Sequence, residues 1–142
     1  MKQSLLCLLV SSLLNLPTVT YFDVAADTGS SDLWVMSDTC LQGCEGIAML
    51  FPQDTLRSAN LSIVLRYGDS QTGTFASGLV GFDTVSFGTA ILTNQSFAAM
   101  NRTNTTFPIA GIAGILGIGF PINRYVPQSL EKVNLYLKMF TV

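Results

Sequence analysis

Residues 61–67, Leu-Ser-Ile-Val-Leu-Arg-Tyr, alternate apolar and polar or smaller side chains. The string Gly68-Asp69-Ser70-Gln71-Thr72-Gly73 then interrupts them, and residues 74–77 resume an extended pattern. A strand turns successive side chains to opposite faces, whereas a helix repeats every 3.6 residues. A period of two bracketed by glycines therefore commits this stretch to a long antiparallel β-hairpin with its tip within Gly68 to Gly73. Further β-branched and aromatic runs at residues 83–87 and 90–97, separated by Gly88, extend the same pattern. Only residues 127–139 have helical character, with Leu130, Val133 and Leu137 on one side. The expected class is all-β with one short C-terminal helix. At 142 residues there is room for one modest core. No repeat or low-complexity linker divides the chain.

Composition removes several kinds of chemistry. The chain contains no histidine, so Ser-His-Asp and Cys-His catalysis and His-ligated zinc are excluded. Three cysteines do not make a four-thiolate zinc site, and no metal or other cofactor is expected. Seven Lys and Arg stand against nine Asp and Glu with no basic cluster, so a nucleic-acid groove has no electrostatic basis. Apolar residues make up 49% and charged residues 11%, with mean hydropathy +0.45, which excludes a disordered polar chain. Any acid–base chemistry falls to carboxylates.

The N-terminus reads as a targeting segment. Met1-Lys2 supplies a positive charge, and residues 5–16 are apolar apart from Ser11-Ser12 and Asn15, before Pro17. That is too short to span a bilayer and fits a secretory signal over residues 1–20; the alternative is a buried strand or helix. Residues 21–142 form the remaining domain. Cys7 would leave with the signal, so Cys40 and Cys44 remain as an even pair around a small loop containing Gly43. A bridge there suits an oxidising compartment, and the alternative is two reduced thiols. Four N-x-S/T sequons stand at Asn60, Asn94, Asn101 and Asn104. The last three lie in a polar stretch, expected to be a glycosylated surface loop of a secreted or cell-surface protein.

Asp27-Thr28-Gly29-Ser30-Ser31 follows the apolar Val24-Ala25-Ala26 and precedes Leu33-Trp34-Val35. A carboxylate at a strand end, followed by a hydroxyl residue and glycine, is held in a tight turn by backbone N–H groups and nearby hydroxyls. Rigid placement is what activation of a water molecule requires, although the same pattern also serves as a simple Asx-turn between core strands. The full string DTGSSDLWV, residues 27–35, resembles the first active-site motif of pepsin-like aspartic endopeptidases. Cys40 and Cys44 resemble that family's small disulfide loop, and Tyr67-Gly68-Asp69 its flap tip. Gly114-Ile115-Leu116-Gly117 resembles the segment that passes close to the catalytic turn. Residues 67–88 are similar to the fungal, yapsin-like branch.

The resemblance implies one N-terminal lobe of the pepsin-like double-ψ β-barrel fold and hydrolysis of polypeptide substrates. It implies Asp27 as a catalytic carboxylate, with Thr28 and Gly29 in the supporting turn and Ser30 hydrogen-bonded to the outer oxygen of Asp27. Tyr67 would close over substrate, steadied by Trp34, while Gly68 and Asp69 offer groups to the bound peptide. Trp34 equally suits a plain core residue; Tyr67 alone would suit a strand aromatic, but its place one residue before a Gly-Asp turn favours the site, and Gly117 and Gly119 read as backbone-packing glycines. Such chemistry uses two neighbouring carboxylates, because like charges that close share a proton, leaving one as base and one as acid. This sequence holds a single D-T-G. The partner carboxylate is therefore expected from a C-terminal lobe missing here or from a second copy of the chain. The remaining alternative is an inactive lobe serving as a secreted glycoprotein.

Overall fold

The structure, a computed structural model, describes residues 5–11, 19–47, 49–68, 73–87, 90–105 and 111–119. Two strands consecutive in sequence are not neighbours in space. Between β2 (Val19–Asp27) and β3 (Leu33–Met36) runs β7 (Gly114–Gly117), parallel to β2 and antiparallel to β3. Glycine is required at both ends of β7. A Cβ at Gly114 would stand 2.0 Å from the Trp34 carbonyl oxygen, and one at Gly117 2.5 Å from the Asp32 nitrogen.

The remaining strands are β1 (Leu5–Ser11), β4 (Arg57–Tyr67), β5 (Thr74–Phe87) and β6 (Ala90–Thr103). Their order across the sheet is β1-β2-β7-β3-β6-β5-β4, and β1 also pairs with β5. Six strands thus close on themselves into a barrel, and β4 lies outside it on β5, as expected for one lobe of the double-ψ type. The apolar N-terminal stretch read as a leader contributes Leu5–Ser11 to this closure. It pairs antiparallel with β2 from Leu5↔Ala25 to Ser11↔Val19 and with β5 at Val10↔Val85.

Strand β3 is buried on both faces because it lies between two cores. Leu33 and Val35 join Phe22, Val24, Phe51, Phe97 and Leu116 inside the barrel. Trp34 and Met36 join Leu65, Val80, Met100 and Ile115 beneath the hairpin. Phe51 packs edge-on to Phe97 with ring centroids 5.2 Å apart. Each large side chain fully removed from water contributes roughly 1.5–3 kcal/mol, so the second core is what holds the hairpin to the barrel.

The hairpin forms as read, with Tyr67 paired to Thr74 and Gly68 and Gly73 at positive φ of 74° and 56° at its two ends. Two expectations change. Residues 74–77 and 83–87 belong to one 14-residue strand, since register shifts at Ser77/Gly78 and Asp83/Val85 bend β5 without breaking it. Asn94 and Asn101 are not in a surface loop but in β6, where Gln95 to Met100 are buried. The strand read over 90–97 runs on to Thr103, and the polar side chains beyond Phe97 had masked Ala98, Ala99 and Met100, which supply the core. The expected helix at 127–139 lies outside the described residues.

Candidate active site

Asp27 is the last residue of β2 and half-buried. Its Oδ1 accepts from the Gly29 N–H at 2.9 Å, the Asx-type closure expected of the motif. A Cβ on Gly29 would stand 3.3 Å from that oxygen, so the turn leaves the carboxylate little room to rotate. From the other side, the segment after β7 braces the turn's backbone. Gly117 N–H donates to Asp32 O at 2.9 Å, Ile118 N–H to Asp27 O at 2.8 Å and Gly119 N–H to Ser30 O at 2.7 Å. Gly117 and Gly119 are thus backbone-packing glycines, since a Cβ on either would collide with the main chain of the 28–32 turn.

The hydroxyls behave differently from the expectation. Thr28 is exposed. The hydrogen bond expected from Ser30 to the outer oxygen of Asp27 is not formed, and Ser30 Oγ is buried with no partner among the described residues. The turn is fixed by main-chain donors, which leaves this hydroxyl unused.

Above the turn, Tyr67 ends β4, and its phenol oxygen accepts from Trp34 Nε1 at 2.7 Å. Burial pushes the Tyr67 phenol well above its usual range; the Trp34 hydrogen bond opposes this, and the negative charges of Asp32 and Asp27 add to it. The phenol is therefore neutral at any working pH. Gly29, Ser30, Asp32, Leu65, Arg66, Tyr67 and Gly68 line an open cleft of about 230 Å³ between turn and hairpin. The structure thus brings Asp27, Gly29, Ser30, Trp34, Tyr67 and Gly68 to one place, while Asp69 lies outside the described residues. Sequence reasoning passed over Asp32, which is 2% exposed and faces this cleft, and over Leu65 and Arg66. The period-two register of 61–67 was a usable signal for Leu65, which shares a face with Tyr67.

Cys40 and Cys44 form a disulfide with Cα atoms 6.2 Å apart. Their loop docks on the end of β6, with Leu41 N–H donating to Asn101 O at 2.7 Å and Thr103 N–H to Gln42 O at 3.0 Å. Of the sequon asparagines, Asn60 and Asn94 are exposed at positive φ of 55° and 56°. Asn94 Oδ1 accepts from Arg57 Nη2. Asn101 is half-buried, and Asn104 is exposed beside the hairpin.

A closed barrel that carries a D-T-G aspartate on its rim beneath a tyrosine-tipped hairpin is one lobe of the pepsin-like fold. Residues 18–140 match the family model described as eukaryotic aspartyl protease, and the chain belongs to that family. It is 40% identical over 115 residues to Candidapepsin-1 of Candida albicans (strain WO-1), covering 72% of this chain and 27% of that protein. It is 38% identical over 104 residues to Cathepsin E-A of Xenopus laevis, covering 70% and 25%. It is 36% identical over 129 residues to the embryonic pepsinogen of Gallus gallus, covering 81% and 33%. The chain therefore spans about a quarter to a third of the length of these relatives.

Proposed function

We propose that this chain supplies one of the two carboxylates of an aspartic-type endopeptidase, with Asp27 as that group. The observation that carries the reading is the turn itself: a half-buried carboxylate pinned by the Gly29 N–H at 2.9 Å, under a hairpin whose Tyr67 is anchored to Trp34. In the proposed reaction a water molecule between Asp27 and a second aspartate loses a proton to one carboxylate and attacks the peptide carbonyl carbon. The other carboxylate, protonated, donates to the carbonyl oxygen. Collapse of the tetrahedral intermediate breaks the C–N bond as the amine takes a proton. Thr28 braces the turn against its counterpart, Tyr67 closes over the peptide, and Gly68 and Asp69 contact its backbone. The second aspartate comes from sequence outside these 142 residues or from a second copy. Residues 67–88 favour the fungal, yapsin-like branch.

The decisive experiment measures cleavage of denatured protein at acid pH. The 142-residue chain alone is expected to match Asp27→Asn. Supplied with a partner that carries the second D-[ST]-G motif, it is expected to show cleavage that a statine-type inhibitor blocks and Asp27→Asn abolishes. Cleavage by the chain alone, lost in Asp27→Asn and second order in chain concentration, would instead establish the two-copy enzyme. Absence of cleavage under every pairing would leave the inactive glycoprotein.

Export through the secretory pathway is proposed from the Cys40–Cys44 bridge, the sequons and the signal-like start. The Candida albicans relative named Secreted aspartic protease 1 supports it. The exported protein is expected to exceed its sequence mass of 15.3 kDa and to shrink on N-glycan removal. N-terminal sequencing decides whether residues 1–20 leave. Their loss would strip β1 from both β2 and β5.

A further inference from the structure

We propose that Asn104 is a positioning residue whose side-chain amide clamps the start of β5, beside the tip of the β4–β5 hairpin, and thereby sets Tyr67 against Trp34. The role in substrate closure rests on the function proposed above; the clamp itself does not. The residue register between β5 and β6 ends at Ala76↔Thr103, one further main-chain bond following it from the Asn104 N–H. Beyond that point the Asn104 side chain continues it. Its Oδ1 accepts from the Phe75 N–H at 2.8 Å, its Nδ2 donates to the Gly73 carbonyl at 3.0 Å, and its own backbone N–H donates to Phe75 O at 3.3 Å. A primary amide offers the same acceptor and donor as a peptide group, so it serves as one more rung of the ladder.

The placement matters because Thr74, lying between the two residues Asn104 holds, is the residue paired with Tyr67. Strand β4 grips the start of β5 from one side and Asn104 grips it from the other. Thr103 Oγ1 adds a hydrogen bond to Phe75 O at 2.7 Å and is itself held by the Thr105 N–H at 3.0 Å. Asn104 is exposed, so replacing it leaves both cores intact and removes only its two side-chain bonds, from the Phe75 N–H and to the Gly73 carbonyl, while its backbone N–H and Thr103 still hold Phe75 O.

Trp34 is the single tryptophan of the chain and bonds directly to Tyr67, so its emission reports the outcome. The test uses the full 142-residue chain made without glycosylation, comparing Asn104→Ala, Asn104→Asp and the control Asn60→Ala. For Asn104→Ala, hydrogen exchange at the Phe75 amide is expected to rise roughly tenfold, and acrylamide quenching of Trp34 is expected to increase, with far-UV circular dichroism unchanged. Asn104→Asp keeps the acceptor for Phe75 and loses the donor to Gly73, so it is expected to fall between the two; Asn60→Ala is expected to match the parent. Asp also carries the test should the Ala variant fail to fold. Parent-like exchange and quenching in both Asn104 variants would overturn the proposal. Because neither readout involves turnover, a chain that cleaves nothing still passes or fails it. A clamp found in a chain that cleaves nothing under any pairing would remove the proposed function alone.

Discussion

The indole N–H of Trp34 donates to the phenol oxygen of Tyr67 at 2.7 Å, which ties the strand leaving the Asp27 turn to the tip of the hairpin above it. Trp34 is fully buried and Tyr67 half-buried, so the bond is made where an unmet donor is costly. It also fixes the polarity of the phenol. With its oxygen accepting from the indole, the neutral Tyr67 keeps its own proton to offer toward the cleft.

Replacing Tyr67 with Phe removes this acceptor and little volume. A loss of about 1–3 kcal/mol is expected in urea denaturation, with a shift in Trp34 emission in the folded state. An unchanged midpoint would show that the indole recovers an equivalent partner.

Ser30 invites the opposite expectation. Its buried Oγ makes no hydrogen bond to any described residue, so Ser30→Ala removes a desolvated hydroxyl at no cost in bonding and is expected to be neutral or stabilising by up to ~1 kcal/mol. Loss of stability on thermal melting would mean that the hydroxyl has a partner after all.

Asp83 is buried in β5, its Oδ1 accepting from the Thr84 N–H and its Oδ2 without a partner among the described residues. Burial raises its carboxyl above the ordinary 3.8, against the opposing Thr84 N–H and the charge of Arg57. A raised folded-state value means the folded protein binds the proton more tightly than the unfolded chain. This residue's contribution therefore falls as pH rises above about 3.8, and stays low once the folded group has ionised. Asp83→Asn keeps the Thr84 bond and is expected to raise the melting temperature at neutral pH, with the gain vanishing below pH 3.8. A gain that persists at lower pH would refute this assignment.

The Cys40–Cys44 bridge closes a very short loop, for which chain-entropy reasoning gives about 2 kcal/mol. Reduction, or the double serine variant, is expected to cost that amount in urea denaturation. It is also expected to loosen the end of β6, where Leu41 and Gln42 dock.

What was legible in the sequence was local. DTGSSDLWV is contiguous, and the 61–77 hairpin announces itself by period and glycine within one window. Two things escaped for the same reason. The tetrapeptide Gly114–Gly117 is too short to show a period; only its likeness to a known segment pointed to the turn, and its place between β2 and β3 depends on partners far away in sequence. The clamp of Asn104 on Gly73 and Phe75 is likewise a long-range bond that no spacing rule predicts. Residues 98–103 misled through composition, since Asn, Arg and Thr suggest solvent although Ala98, Ala99, Met100 and Thr103 are buried in the continuation of the 90–97 strand. The hydrogen bond anticipated for Ser30 failed differently. The backbone N–H of Gly29 holds Asp27 Oδ1, while the Ser30 hydroxyl meets no partner among the described residues.

The insertion of β7 between β2 and β3 has a consequence for how the protein comes off the ribosome. Asp27 and Gly117 pair although roughly ninety positions separate them, and non-local pairing of this kind forms slowly. Until Gly114–Gly117 has emerged, β2 and β3 each present a bare edge at the centre of the sheet, flanked by Phe22, Val24 and Trp34. The nascent chain is thus most prone to aggregate before its last described strand is made, and the Asp27 turn is among the last parts to become ordered.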